Sequence, residues 1–199
     1  MSLENIFPTV ISQGTLPGSA ALNKKLLAEI DSFSSEDKMG KEWCKENYRG
    51  GYTSYASLSD MHRRAPTFMK LADLLAPQAK HFAKAQRWEM RGLELEMTAC
   101  WINLMPKNTY HTLHLHPHSV ISGTYYVSVP KGSVSLRLED PRMAHFMNAP
   151  LGKPVYHDIK PRAGGFILFD SWLRHEVPPN QSTEPRISVS FNYSLVEKE

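Results

Sequence analysis

The second half of the chain is a series of short apolar runs separated by turn residues, and this pattern limits the fold more than any other feature. Six runs follow residue 90: LELEMTACWINLM, TLHLH, SGTYYVSV, SVSLRLE, GGFILF and RISVSFNYSL. Their β-branched and aromatic residues are typical of strands. Pro106, Pro117, Gly132 and Gly164 interrupt them and leave little room for helices. Strands at this spacing predict a β-sandwich or jelly roll.

The first 90 residues have a helical pattern instead. Apolar residues recur at helical spacing from Ser19 to Phe33, and again from Pro66 to Phe82, where Pro77 predicts a break. The segment KENYRGGYTSYASL between them predicts a loop that leads into a short strand. We therefore expect one domain over residues 1–199, with a helical part over 1–90 packed on a β core over 91–199. The predicted class is mainly β with N-terminal helices, an α+β arrangement.

Composition and charge exclude several classes of function. The 23 basic and 20 acidic residues are scattered, with no Lys/Arg run beyond a pair, so we expect no nucleic-acid partner. No stretch approaches the roughly 18 apolar residues of a membrane helix, and the first residues lack a signal-peptide pattern. Cys44 and Cys100 lie far apart and predict two free, buried thiols. We expect a cytoplasmic protein without a membrane partner, and its oligomeric state stays open.

Histidines are concentrated in the segment TYHTLHLHPHSVISGTYYV, residues 109–127, which holds four of the nine in the chain. In a strand, side chains alternate between faces, so His114 and His116 point the same way from backbone positions about 6 to 7 Å apart. Both rings can then reach one metal ion. His118 has the same parity and is an alternative ligand, but Pro117 precedes it. The competing interpretation is a set of exposed histidines on a polar strand face.

A third histidine follows the apolar strand in GGFILFDSWLRHEVPPN. The strand Phe166 to Phe169 runs into a turn, and His175 comes before Pro178 and Pro179. Sites in β-barrels open at strand ends, so His175 can converge on the same metal as the histidine pair. Taken alone, it could equally be a surface residue in a turn.

The last predicted strand has one polar face. Arg186, Ser188, Ser190 and Asn192 alternate with apolar residues. Burying such a face is unfavourable without a ligand or a hydrogen-bond network, so a solvent-facing edge strand is the competing interpretation. A buried arginine beside a metal would instead bind a carboxylate through its planar fork.

The order of these motifs resembles that of the 2-oxoglutarate and Fe(II)-dependent oxygenases. The motifs are H-x-H-P-x-S-x-x-S-G-x-Y-Y from His114 to Tyr126, E-D-P-R from Glu139, G-x-x-x-x-F-x-S-W-x-x-H ending at His175, and R-x-S from Arg186. The resemblance covers roughly residues 95 to 195. Their fixed order makes the resemblance specific.

The resemblance implies a double-stranded β-helix, a cupin-like jelly-roll barrel. It implies that His114, His116 and His175 hold Fe(II), and that Arg186 binds the distal carboxylate of 2-oxoglutarate. Tyr126 would be a second contact to that carboxylate and Ser188 a third. The implied enzyme is a dioxygenase that uses O2 to oxidise an unidentified substrate and converts 2-oxoglutarate to succinate and CO2.

The sequence departs from the usual facial triad, which has Asp or Glu two residues after the first histidine. No H-x-D or H-x-E occurs in the chain, and His116 occupies that place. Either three histidines form the centre, or Asp140 or Asp170 completes it, or His116 and His118 act as the pair. A neutral ligand set also favours zinc, so a cupin-like zinc or other metal protein without oxygenase activity is one alternative. A non-catalytic β-sandwich module that binds anions through Arg186 is another.

Overall fold

The structure, a computed structural model, describes residues 1–142, 147 and 155–198. Four helices lie before residue 90. The helices and strands are, in chain order, β1 (Ile11–Thr15), α1 (Ser19–Glu36), α2 (Lys38–Asn47), β2 (Tyr52–Thr53), α3 (Met61–Arg64), α4 (Pro66–Ala85), β3 (Leu93–Met105), β4 (His111–His114), β5 (Ile121–Ser128), β6 (Leu136–Glu139), β7 (Tyr156–Ile159), β8 (Gly165–Asp170), β9 (His175–Val177) and β10 (Arg186–Glu197). No helix in the described ranges is long and apolar enough to cross a membrane.

The strands form two antiparallel sheets. The larger has the order β1-β8-β5-β10-β3-β2 and the smaller has the order β4-β9-β6-β7. The ring of Phe169 in the larger sheet lies 4.7 Å from that of His175 in the smaller one, so the two sheets face each other. This arrangement is a double-stranded β-helix with helices before it, and the predicted jelly-roll class is confirmed.

The helices cover the outer face of the larger sheet. Leu26 and Ile30 of α1 and Leu75 and Phe82 of α4 are buried in one core cluster with residues of β10 such as Phe191. A buried amide fastens α1 to β5, because Asn23 donates to the carbonyl of Val127 at 2.9 Å and accepts from the Tyr125 hydroxyl at 2.6 Å. The larger sheet therefore has a helix-covered side and a side that faces the barrel interior.

Three elements differ from the sequence predictions. Pro77 lies inside α4 and does not break it, because burial of apolar residues such as Leu71, Leu75 and Phe82 along one side of the helix outweighs the backbone hydrogen bond that proline removes. A helix, α2, fills part of the segment expected to be a loop. The larger sheet also takes β1, which was not predicted, from the first 90 residues.

The last strand, β10, lies in the middle of the larger sheet. It pairs with β3 on one side and β5 on the other, so the competing interpretation of a solvent-facing edge strand is wrong. Arg186, Ser188 and Asn192 on its polar face are buried. The polar face that the alternation predicted therefore lies in the barrel interior.

A three-histidine cluster and a buried arginine in the barrel

The structure brings His114, His116 and His175 together. His114 ends β4 and is the register partner of His175, the first residue of β9. His116 follows β4, where its backbone N–H donates to the carbonyl of Ser171 at 3.0 Å. One ring nitrogen from each histidine lies within 4.8 Å of the other two, and Nε2 of His116 is 3.2 Å from Nε2 of His175. Three nitrogen donors thus converge on one point, which is the arrangement that a metal ion needs.

Main-chain carbonyls fix the tautomer of two of these rings. Nδ1 of His114 lies 2.6 Å from the carbonyl oxygen of Thr112, and Nδ1 of His175 lies 2.9 Å from that of Leu173. A carbonyl oxygen only accepts, so Nδ1 carries the proton in both rings. Their Nε2 lone pairs are consequently free to bind a metal.

Burial keeps His116 and His175 neutral. Burial lowers the pKa of His175 to about 3 and that of His116 to about 4, and the neighbouring charge of His114 acts in the same direction. At neutral pH both rings are therefore unprotonated imidazoles, the form that ligates metals.

The other ligand candidates lie outside this cluster. His118 is exposed, with a positive φ of 66°. Asp170 accepts a hydrogen bond from the side chain of Gln86 at 2.7 Å, on the helix side of the sheet, and Asp140 is paired with Arg142. Within the described part of the chain, the three histidines are the one group of three potential metal ligands this close together. The geometry thus favours the three-histidine option over a carboxylate-completed site.

Arg186 is buried without a counter-ion among the residues that the structure describes. It is 2% exposed, it forms no ion pair with any described residue, and its Nε has no hydrogen-bond partner among them. One other guanidinium nitrogen donates to the sulfur of Met105, at 3.0 Å. An unpaired buried cation is unfavourable, so an anionic ligand fits this position.

Tyr126 and Ser188 border the arginine. The guanidinium carbon of Arg186 lies 5.1 Å from the centre of the Tyr126 ring, and the Tyr126 hydroxyl is buried with no partner among the described residues. Ser188 is the register partner of Tyr126 on β5. The sequence-predicted carboxylate contacts are therefore adjacent, and two of them have unused donors.

Sequence analysis assigned no role to His111 and Tyr48, which extend the site. Nε2 of His111 lies 3.1 Å from the Tyr48 hydroxyl, and the two rings stack with centres 4.6 Å apart. Burial lowers the pKa of His111 to about 3, and the charges of His114 and Arg186 act in the same direction. His111 thus lies near both the histidine cluster and the arginine. Its place in the histidine-rich segment was the only sequence signal for it.

A cleft of about 690 Å³ opens beside the histidine cluster. Its walls carry five aromatic side chains: Trp43, Tyr48, Tyr55, Trp101 and Tyr110. The ring centre of Trp101 lies 5.7 Å from that of His116 and 5.2 Å from that of Tyr55. A substrate in this cleft would therefore meet an aromatic wall beside the three histidines.

The sequence of the barrel matches a known family. Residues 99–192 match the family model described as "Putative 2OG-Fe(II) oxygenase". This segment of the barrel is similar to the 2OG-Fe(II) oxygenases. The match includes each of the three histidines and the arginine. No curated protein matches the chain in sequence.

Solved structures of 2OG-Fe(II) oxygenases share the fold. A prolyl-4-hydroxylase of Pseudomonas putida has a TM-score of 0.63 at 19% identity, over 94% of this chain and 92% of that chain. The epimerase SnoN from nogalamycin biosynthesis has a TM-score of 0.67 at 15% identity, over 96% and 79%. HygX from Streptomyces hygroscopicus, with nickel and 2-oxoglutarate bound, has a TM-score of 0.64 at 14% identity, over 94% and 83%. At these identities the likeness shows the fold.

The residues present fit the family's cofactors, Fe(II) and 2-oxoglutarate. Three convergent imidazole nitrogens suit a divalent transition metal. The unpaired guanidinium of Arg186 and the unpartnered hydroxyl of Tyr126 suit a carboxylate. The metal-binding histidines and the carboxylate-binding groups lie on the interior side of the same barrel.

Proposed function

We propose that His114, His116 and His175 hold Fe(II), and that Arg186 binds the distal carboxylate of 2-oxoglutarate in a dioxygenase whose substrate is unidentified. The observation that carries this proposal is the pairing of three convergent imidazole nitrogens with a buried, unpaired arginine. Bound iron supplies the redox chemistry that couples decarboxylation of 2-oxoglutarate to succinate with oxidation of the substrate by O2. The protein residues bind, orient and exclude water.

Arg186 gives the cosubstrate its direction. Its planar fork can bind both oxygens of one carboxylate, and burial strengthens this contact by excluding water. The hydroxyl of Tyr126 donates to the same carboxylate, and Ser188 gives a third contact. With its distal carboxylate held by Arg186, 2-oxoglutarate would have its keto-acid end free to bind a metal held by the three histidines.

Aromatic residues position the substrate. Trp101 is buried beside His116, whereas Tyr55 and Trp43, which line the same cleft, are exposed. Such a wall excludes water and binds the substrate by apolar contact. The related structures carry out prolyl hydroxylation and epimerisation, so fold similarity does not select a substrate class.

Metal content tests the ligand set. Replacing His175 with Ala should abolish stoichiometric uptake of Fe(II) or Mn(II) at neutral pH, because it removes one of three donors. His157→Ala is the matched control, since His157 is an exposed histidine on β7, outside the cluster. Elemental analysis after dialysis measures the metal. Full metal content in the His175→Ala protein would disprove the ligand set.

Succinate formation tests the reaction. The Fe(II)-loaded protein under air should convert 2-oxoglutarate to succinate slowly without its substrate, as uncoupled turnover. The zinc-loaded protein should form none, because zinc has no redox chemistry. If protein with verified iron content forms no succinate in several buffers, the zinc-protein alternative is favoured.

A further inference from the structure

The three histidines of the cluster differ in the contact made by Nδ1. In His114 and His175 this nitrogen faces a main-chain carbonyl, which only accepts. In His116 it faces the side-chain amide of Asn192, whose nitrogen lies 3.4 Å away. An amide has a donor at one end and an acceptor at the other. The tautomer of His116 therefore depends on which end of this amide faces the ring.

Asn192 continues into a buried hydrogen-bond chain. Its side-chain oxygen lies 2.8 Å from the hydroxyl of Ser122, which lies 2.9 Å from the hydroxyl of Ser171. All three side chains are buried. Because a serine hydroxyl can either donate or accept, this chain of contacts can be satisfied with its hydrogen bonds running in either direction.

Two proton arrangements satisfy these contacts. In the first, the Asn192 amide nitrogen donates to Nδ1 of His116, so the proton is on Nε2, which can donate to Nε2 of His175 at 3.2 Å. That proton occupies the position a metal needs. In the second, Nδ1 of His116 donates to the amide oxygen, the amide nitrogen donates to Ser122, and Ser122 donates to Ser171. Only the second leaves Nε2 of His116 free to ligate.

We propose that Asn192 is a positioning residue that sets the tautomer of His116, and that its amide rotates to present oxygen to the ring when a metal binds. The inference rests on the ligand set proposed above. His114 and His175 are held ready by carbonyls, so metal binding switches one ring of the three. Removing the residue that hydrogen-bonds to the second ring nitrogen of a metal-bound histidine typically lowers metal affinity 10- to 100-fold.

Nitrogen-15 NMR of the histidine rings tests the tautomers directly. In the full chain treated with a chelator, His114 and His175 should have the proton on Nδ1 and His116 should have it on Nε2. With zinc, a diamagnetic probe, all three rings should have it on Nδ1. A His116 ring that has its proton on Nδ1 in both samples would overturn the proposal, as would a zinc-bound ring that keeps it on Nε2.

Substitutions of Asn192 test its part in the switch. Asn192→Asp can only accept from the ring, so it should hold His116 with the proton on Nδ1 even without metal. Asn192→Leu removes both the donor and the acceptor of the amide and should weaken Mn(II) binding about 10- to 100-fold. Matched controls are Asn103→Asp and Asn103→Leu, because Asn103 is a buried amide that hydrogen-bonds to Thr53 and Ser190 and to no histidine that the structure describes.

These outcomes separate the switch from the metal site itself. If zinc changes the nitrogen-15 chemical shifts of none of the three rings, the proposed ligand set fails. Alternatively, zinc changes the chemical shifts of all three rings while His116 of the chelator-treated Asn192→Asp protein keeps its proton on Nε2. In that case only the role of Asn192 fails. Equal losses of Mn(II) affinity in the Asn192→Leu and Asn103→Leu proteins would assign Asn192 a general structural role. The ring spectrum of the unsubstituted protein decides the tautomer question even if Asn192→Leu does not fold.

Discussion

The two faces of β10 bury very different side chains. Outward, Val189 and Phe191 are fully buried in the core beneath the helices. Inward, Arg186, Ser188 and Asn192 are also buried, but the arginine has an Nε without a partner in the described chain. Apolar burial stabilises the fold, whereas an unpaired buried charge destabilises it. One strand therefore carries stability on one face and a binding site that lowers stability on the other.

The largest expected change in the free energy of unfolding comes from a substitution on the outer face. Phe191→Ala should destabilise the protein by about 3 to 5 kcal/mol, because it removes a fully buried ring and leaves a cavity. Gly123 on β5 shows how closely the ring is packed, since a Cβ there would lie 2.5 Å from it. Urea denaturation measures the change. A loss below about 1 kcal/mol would contradict the view that this face carries stability.

The inner face should respond in the opposite way. Arg186→Met removes the unpaired charge and keeps much of the volume, so the unfolding free energy without cosubstrate should stay equal or rise by about 1 to 4 kcal/mol. Cosubstrate binding should weaken by about 2 to 5 kcal/mol, because the carboxylate loses its buried partner. Lysine at this position should restore binding only in part, since it lacks the planar fork.

Thermal shifts with Mn(II) present can measure both effects of the Arg186→Met substitution. A ligand at about 100 times its Kd stabilises the fold by roughly 2.7 kcal/mol, and this increment should disappear in Arg186→Met. Arg137→Met is the control, because Arg137 is paired with Asp158 and Glu176 and should show no gain in stability and no loss of the 2-oxoglutarate shift. A full 2-oxoglutarate-dependent thermal shift in the Arg186→Met protein would show that Arg186 does not bind the cosubstrate.

Strand alternation predicted the two faces of β10 and the shared direction of His114 and His116, because alternation is a local property of an extended chain. Other parts of the site depend on tertiary contacts. The strand β9 has three residues, too few for a pattern. Helix α2 buries only Gly40 and Cys44, so it has no apolar stripe, although its docking places Tyr48 against His111. The Asn192 contact with His116 likewise requires the two sheets to face each other.

The pH dependence of stability gives a further comparison, because three histidines with a strongly lowered pKa lie on the interior side. Burial, the largest cause, lowers the pKa of His111 and His175 to about 3 and that of His116 to about 4, while histidines in the unfolded chain titrate near 6.5. Below about pH 6.5 the unfolded chain thus binds protons that the native protein does not. Stability is present above this pH and is lost as the pH falls toward 4.

The smallest predicted effect isolates one of these histidines. In chelator-treated protein, each of the three should reduce the unfolding free energy by about 1 kcal/mol between pH 6.5 and 5.5, or about 3 kcal/mol together. His111→Phe retains a ring to stack on Tyr48 but cannot be protonated, so the loss should fall by about 1 kcal/mol. Phe191→Ala, an outer-face variant, should lower stability at both pH values but leave the difference between them unchanged. Urea denaturation at the two pH values measures each slope. An unchanged slope in His111→Phe would mean that His111 titrates normally and that the interior near it is open to water.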